Sequence, residues 1–151
     1  MQLTLFSDYS LRVALYLAMH PDERVTLDEI SAAYGISRNH LVKVVQRLVE
    51  LEVVASVRGR GGGLRLAKAP AELNVGALVR ATEPHFNIVE CFDPETNTCP
   101  IDPVCGLKGV LRKAEKAFLA QLDAHSLADF LPRAERLIPL WRQHAGRDPR
   151  G

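Results

Sequence analysis

The fold is decided by residues 35–50, which read GISRNHLVKVVQRLVE. Gly35 supplies a tight turn, and Ser37 is a typical helix N-cap, so a helix is predicted from there to about Leu51. The apolar residues recur at the spacing of a single helical face, and they are Leu41, Val44, Val45 and Leu48. The basic residues fall off that stripe, so we expect one side of this helix to pack on a core and the other to face solvent.

Two helices are predicted before this stretch. Residues 7–20 carry apolar side chains at helical spacing. Residues 27–34 form a shorter helix, because Thr26 and Glu29 have the spacing of a capping box, in which each side chain satisfies a backbone N–H. A helix, a glycine turn and a basic helix together predict a helix-turn-helix.

A β-hairpin is predicted directly after the basic helix. Val53–Val57 has strand character, a glycine- and arginine-rich tip follows at Arg58–Gly63, and Leu64–Leu66 completes the hairpin. The glycines do not form a phosphate-binding P-loop, because no Gly-Lys-Ser/Thr follows them. A hairpin at this place is the wing of a winged helix, and the predicted fold class is mainly α with a small β wing.

The charge pattern points to DNA as the ligand of this region. Residues 37–68 hold seven Lys and Arg against two Glu, a local net charge of +5, whereas the whole chain is only +1. Residues at the start of a recognition helix reach base edges, and a thin arginine-bearing wing fits a minor groove. The candidate contacts are Ser37, Arg38, Asn39, His40, Lys43 and Arg47 on the helix, with Arg58 and Arg60 on the wing. The alternative is a solvated basic helix beside a flexible loop.

The whole sequence divides into four parts. We predict a DNA-binding domain at 1–83, an irregular loop at 84–106, helical segments at 107–145 and a frayed tail at 146–151. In the helical part, residues 107–125 are amphipathic, and a second segment from Leu127 to about Gln143 is expected to be interrupted by Pro132 and Pro139. Within the DNA-binding part, Asn74 is predicted to cap a short helix that ends near Thr82.

Three cysteines share the irregular loop, at Cys91, Cys99 and Cys105. Their spacing is not that of a zinc finger, and thiolates are soft ligands that suit zinc or an iron–sulfur cluster. Residues 85–105 also carry four acids and no Lys or Arg. The residues alone leave three interpretations open: a cluster, a zinc site, or reduced thiols without a ligand. The fourth ligand is also open between a water, an external thiol and four side chains, namely Asp8, His85, Asp93 and Asp102.

The sequence lacks several signals that would indicate export, membrane insertion or catalysis. The sequence shows no basic leader, and its first apolar run carries Arg12, so neither a signal peptide nor a membrane span is expected. We therefore expect a cytoplasmic protein with reduced thiols. No Ser/His/Asp or paired-carboxylate arrangement is evident, so no enzyme is predicted.

The helix-turn-helix, the Arg58–Gly63 wing and the segments Val89–Pro100 and Cys105–Leu107 resemble the IscR/NsrR-type family of iron–sulfur winged-helix regulators. The resemblance runs from about Met1 to about Leu131. It implies a homodimer packed through the predicted helix at 107–125, and a cluster held by the three cysteines. We expect a 4Fe–4S cluster, with 2Fe–2S as the alternative.

The resemblance also bears on the fourth ligand. IscR-like members place a His shortly after the third cysteine, but here Gly106, Leu107 and Lys108 follow it. Nitric-oxide-sensing members use an Asp near the N-terminus of the partner subunit, and Asp8 matches that position. Asp8 also has a local interpretation, because a carboxylate suits the start of a helix and Arg12 is its i+4 partner.

The resemblance implies a nitric-oxide-responsive repressor that binds double-stranded operator DNA as a homodimer, with the cluster controlling its affinity. The first alternative is a zinc- or thiol-redox-controlled regulator on the same fold. The second is a winged helix that docks another protein.

Overall fold

The computed structural model describes residues 2–57, 59 and 61–145. These residues form six α-helices and one two-stranded antiparallel sheet, so the protein is mainly helical with a small β wing, as the sequence predicts. The helices are α1 Leu5–Ala18, α2 Leu27–Tyr34, α3 Arg38–Glu50, α4 Val75–Thr82, α5 Gly106–Asp123 and α6 Ala134–Ala145, and the strands are β1 Val54–Val57 and β2 Gly63–Leu66. Short 3-10 turns lie at Pro70–Glu72, Glu90–Phe92, Asp102–Val104 and Leu127–Arg133. The predicted tail at 146–151 lies outside the described residues.

The first helix begins two residues earlier than predicted, because Thr4 is its N-cap. The Thr4 hydroxyl accepts a hydrogen bond from the Ser7 amide at 3.2 Å. The Thr4 amide in turn donates a hydrogen bond to the Glu83 carboxylate at 2.7 Å, and Glu83 is the C-cap residue of α4. The start of α1 is therefore fixed by a contact 79 residues away along the chain.

One hydrophobic core unites the helix-turn-helix and the wing. Val13, Ile30, Leu41 and Leu48 are fully buried where α1, α2 and α3 meet. The same cluster extends to the residues that flank the wing and to Leu127, beyond α5. The helix-turn-helix and the wing thus share one core, and the chain returns to that core after α5.

The junction of α4 and α5 is tightly specified. Asn74 caps α4 by accepting from the Ala77 amide at 2.9 Å, and its side-chain amide donates to the Asp123 carbonyl at 2.7 Å. Gly76 allows this approach, because a Cβ there would lie 2.9 Å from the Asp123 backbone nitrogen. These bonds capture the end of α5, which stops at Asp123 rather than at residue 125 as predicted.

The last two helices differ in how much they bury. α5 has no buried residue, although several apolar side chains lie along it. α6 buries Trp141 against the helix-turn-helix, and it continues through Pro139. The expected interruption at Pro139 was therefore wrong, whereas Pro132 does lie in the 3-10 turn that precedes α6. None of the described helices combines the length and apolar character needed to cross a bilayer.

Candidate functional site

The first candidate site is the outer face of α3. Gly35 ends α2 in the left-handed conformation at φ 65°, and the Ser37 hydroxyl accepts from the His40 amide to cap α3. The apolar stripe of α3 is buried, as its spacing predicts. All six predicted contact residues of this helix are exposed, and they are Ser37, Arg38, Asn39, His40, Lys43 and Arg47. The structure therefore brings these six side chains to the surface of one helix.

Both arginines on this face are paired weakly. The Arg38 Nε lies 3.1 Å from an Asp28 carboxylate oxygen, and the Arg47 guanidinium lies 3.0 Å from Glu50. Exposed ion pairs of this kind contribute about 0–1 kcal/mol to stability. A phosphate or a base edge can therefore compete for either guanidinium at low cost.

The N-terminal half of α3 also contacts α1. The His40 ring lies 6.1 Å from the Tyr9 ring, measured between centroids. His40 and Lys43 line a shallow groove together with Leu5 and Phe6 of α1. A shift of α1 would therefore displace residues of α3 that are predicted to contact DNA.

The wing is a hairpin attached to the chain before α2. Strands β1 and β2 pair from Val54 with Leu66 to Val57 with Gly63. Leu64 also exchanges two backbone hydrogen bonds with Val25, at 2.7 and 3.1 Å. A Cβ on Gly63 would lie 3.0 Å from the Arg24 backbone, so glycine permits this close approach. The predicted contacts Arg58 and Arg60 lie outside the described residues.

Arg24 is a residue that the sequence analysis missed. Its guanidinium donates to the Gly61 carbonyl at 2.7 Å, which ties the tip of the wing to the segment before α2. The contact spans 37 residues, so no local pattern could have indicated it. The only available signal was an arginine next to the predicted capping box.

The second candidate site is the cysteine loop, residues 83–105 between α4 and α5. Cys91 lies in the first 3-10 turn, Cys99 between the two turns, and Cys105 at the N-cap of α5. All three are half-buried free thiols. Polar contacts shape the loop: the Thr98 hydroxyl and amide donate to Glu90 at 2.6 and 2.7 Å, and these bonds hold the pKa of Glu90 below its ordinary value.

The cysteine loop is fastened to α5 at two places. Arg112 lies over the Phe92 ring at 3.7 Å and donates to the Phe92 carbonyl at 3.1 Å. Near the other end of the loop, Lys108 pairs with Asp102 at 2.6 Å. Because Phe92 follows Cys91 and Asp102 lies between Cys99 and Cys105, α5 holds both ends of the thiol-bearing segment.

The donor set suits a soft metal centre by its chemistry. Three thiols in one loop, none of them in a disulfide, are the ligand type that zinc and iron–sulfur clusters require. Across the described part of the chain, however, no three His, Cys, Asp or Glu side chains lie close enough together to hold a metal ion. The loop thus provides three thiols of suitable chemistry, which do not converge on one point in this structure.

The candidate fourth ligands have other partners within the chain. Asp8 pairs with Arg12 along α1, with a nitrogen–oxygen distance of 2.7 Å. His85 accepts from the Asn87 amide, and Asp93 accepts from the Glu95 amide. Asp102 is the residue paired with Lys108. The predicted local pairing of Asp8 with Arg12 is present, and its role as a ligand from a partner subunit stays a prediction.

Residues 3–133 match the Rrf2 family model, which is described as an iron-dependent transcriptional regulator. The chain is 50% identical to the HTH-type transcriptional regulator NsrR of Bacillus subtilis, over 93% of this chain and 97% of that protein. It is 48% identical to the protein of the same name from Halalkalibacterium halodurans, again over 93% and 97%. These relatives are named as transcriptional regulators, and no enzyme family is indicated.

Solved structures with the same fold include two regulators. The IscR of T. potens superposes with a TM-score of 0.71 at 28% identity, covering 90% of both chains. The global cysteine regulator CymR of B. subtilis superposes with a TM-score of 0.69 at 21% identity, covering 87% of this chain and 97% of that one. The second comparison supports the fold alone, and both agree with a winged-helix fold.

Proposed function

Because the chain belongs to the Rrf2 family of transcriptional regulators, as the sequence resemblance predicted, we propose that it is a nitric-oxide-responsive repressor. In this proposal a homodimer in the cytoplasm binds double-stranded operator DNA through α3 and the wing. An iron–sulfur cluster, of the 4Fe–4S type or alternatively 2Fe–2S, sets its affinity. The observation that carries most weight is the outer face of α3, where six candidate contact residues are exposed above a fully buried apolar stripe.

The residues proposed to hold the cluster are Cys91, Cys99 and Cys105, with Asp8 of the partner subunit as the fourth ligand. Their thiol chemistry supports this proposal, as does the weak exposed pair in which Asp8 is engaged within its own chain. When bound, the cluster would supply iron that reacts with nitric oxide. The chain itself holds the cysteine loop in place through the contacts of Arg112 and Lys108 on α5.

Homodimer formation is supported by the unpartnered apolar side of α5 and the loop before it. Leu107 is 63% exposed, Val110 61%, and Val104 87%. Large apolar side chains exposed close together along the chain are typical of an interaction site when they form one patch. A two-fold dimer would pair this helix with its own copy and place two α3 helices on one face of the DNA.

Control of DNA binding would pass through α1. Asp8 lies in the first turn of α1, and the next residue, Tyr9, contacts His40 on α3. A carboxylate held by the partner's loop would fix α1, and with it the N-terminal half of α3. A coupling of about 1–3 kcal/mol between the two sites would change operator affinity roughly 5- to 150-fold.

The proposal is tested with anaerobically purified protein and an operator duplex selected from a random-sequence pool by the unaltered protein. We expect iron and sulfide in the protein, and operator binding that weakens after stoichiometric nitric oxide. Cys99→Ala should lose both the cluster absorbance and tight binding, whereas Thr96→Ala, at an exposed position of the same loop, should keep both.

Three results would contradict the proposal in different ways. Stoichiometric zinc without sulfide would favour the zinc-controlled alternative, and unchanged binding after nitric oxide would exclude the nitric-oxide response. No salt-dependent DNA affinity in the unaltered protein would favour a module that docks another protein, because phosphate contacts make DNA binding depend on salt.

A further inference from the structure

α6 packs on the helix-turn-helix from outside the residues matched by the family model. The model ends at residue 133, and α6 begins at Ala134. None of its residues is among the predicted DNA contacts. Its packing nevertheless involves both helices that support α3, namely α1 and α2.

Trp141 is the anchor of α6 and the single tryptophan of the chain. It is 9% exposed and lies between two tyrosines of different helices. Its ring centroid is 4.8 Å from that of Tyr16 on α1 and 5.5 Å from that of Tyr34 at the end of α2. The two tyrosine rings also meet edge to face, with centroids 6.1 Å apart, so removing the indole would take away the ring on which both of them pack.

The end of α6 reaches the turn of the helix-turn-helix. The His144 ring approaches to 3.2 Å from where a Cβ on Gly35 would lie, and its Nδ1 is 3.4 Å from the Ala32 carbonyl oxygen. Gly35 is the left-handed residue that turns the chain from α2 into α3. α6 therefore abuts the point that sets the angle between these two helices.

α2 depends on such support more than its neighbours do. It has only eight residues, of which Ile30 and Ala33 alone are buried. Helices this short are marginal in isolation and are held by tertiary packing. Ile30 packs into the main core, whereas Ala33 packs in the cluster around Trp141, so α6 provides one of the two packing sides of α2.

We propose that α6 is a brace that fixes α2 and the Gly35 turn, and that Trp141 is thereby a positioning residue for DNA binding although it does not touch DNA. This inference rests on the proposed operator binding. A brace of this kind presents α3 at a defined angle to the major groove. Its loss would weaken operator binding without removing any phosphate contact.

The test compares Trp141→Ala with Trp141→Phe and Leu140→Ala in the metal-loaded protein, using the selected operator duplex with a fluorescent label. We expect Trp141→Ala to bind about 5- to 50-fold more weakly. The slope of affinity against salt should stay that of the unaltered protein, because the phosphate contacts remain. Trp141→Phe, which keeps an aromatic ring, and Leu140→Ala, at a 57% exposed neighbour, should both stay within about twofold.

A second readout separates positioning from simple loss of folded protein. Titration of the operator duplex at high protein concentration should show that all of the Trp141→Ala protein is able to bind DNA. Amide hydrogen exchange should be faster than in the unaltered protein in α2 and its turn, but not in α4. A reduced active fraction with an unchanged dissociation constant would overturn the brace. So would equal affinity of Trp141→Ala and the unaltered protein.

Two further results of these experiments also bear on the brace. If circular dichroism shows that Trp141→Ala is unfolded, His144→Ala replaces it, because His144 is exposed and its loss removes only the contact to the turn. Operator affinity of His144→Ala equal to that of the unaltered protein would then overturn the brace. No DNA binding by the unaltered protein would instead overturn the proposed function, and with it the role of the brace in that function.

Discussion

The DNA-binding part of the chain and the segment that follows it are stabilised in different ways. Residues 2–82 enclose a core in which Val13, Ile30, Leu41 and Leu48 are completely buried. Residues 83–123 contain one buried side chain, Phe92, and the 18 residues of α5 contribute none. The first region is shaped by its apolar packing, whereas the second combines polar contacts with limited apolar packing, such as that of Leu122 on the main core, and leaves other apolar side chains exposed.

The two regions differ in how much apolar surface each of them covers within one chain. A helix with no buried residue gains little from the chain that carries it, since most helical stability comes from tertiary packing. The loop before it has donors that do not meet within one chain. Residues 2–82 thus bury a core within one chain, whereas the segment 83–123 leaves apolar side chains exposed that the proposed dimer would cover.

The largest expected effect comes from the core of the DNA-binding part. Leu48→Ala should lower the free energy of unfolding by about 3 kcal/mol, because it removes a fully buried side chain and leaves a cavity. Val49→Ala, at the next and 39% exposed position of the same helix, should change it by less than about 0.5 kcal/mol. Urea unfolding at constant m-value measures both, and equal losses would mean that this core is not well packed.

Local signals were sufficient for most of the DNA-binding part. The capping box of Thr26 and Glu29, the Gly35 turn and the Ser37 cap are all present where the sequence placed them. The boundaries that differed depend on distant partners. α1 begins early because Thr4 caps it, and the Thr4 amide is in turn bound by Glu83, a partner that no pattern near Thr4 indicates.

The cysteine loop was predictable only in part. The absence of periodicity and the three thiols indicated an irregular segment with soft donors, and the structure shows such a segment. Its fastening to α5 through Arg112 and Phe92 was not predictable, because the pair is 20 residues apart and Arg112 has a local partner in Glu115. Local charge pairs conceal longer contacts of the same side chain.

The next effect tests the incomplete surface of the second region. Val110→Glu should weaken a dimer formed through α5 by about 100-fold, or ~2.7 kcal/mol, because a two-fold axis places the new charge at the interface twice. Lys116→Gln changes the net charge equally but lies roughly 120° around the helix, so it should leave the dimer intact. Sedimentation equilibrium measures both. Monomers from the unaltered protein, or dimers from Val110→Glu, would contradict a dimer formed through this side of α5.

The smallest expected effect concerns the junction between the two regions, where Arg80 of α4 and Asp123 of α5 form a bidentate pair. The hydrogen bonds from Arg80 hold the pKa of Asp123 below its ordinary value of 3.8. An acid whose pKa is lowered on folding stabilises the folded chain above its unfolded pKa and loses that contribution as pH falls through the folded value. The unaltered protein should therefore have a higher melting temperature than Asp123→Asn at pH 6. The difference between the two melting temperatures should become smaller below pH 3.8.

The same comparison with Glu50→Gln, whose partner Arg47 lies in the same helix, separates a junction from a local pair. Glu90 and Asp129 also have lowered pKa values, but they are common to both proteins and cancel in the difference. Among these charged pairs, Arg80 with Asp123 joins the region with a core to the region without one, beside the hydrogen bonds from Asn74 to Asp123 and from Thr4 to Glu83. If its loss changed melting no more than the loss of the pair within α3, the hydrogen bonds from the Asn74 side chain to Asp123 and from Thr4 to Glu83, with the packing of Leu122, would be sufficient to hold the two regions together.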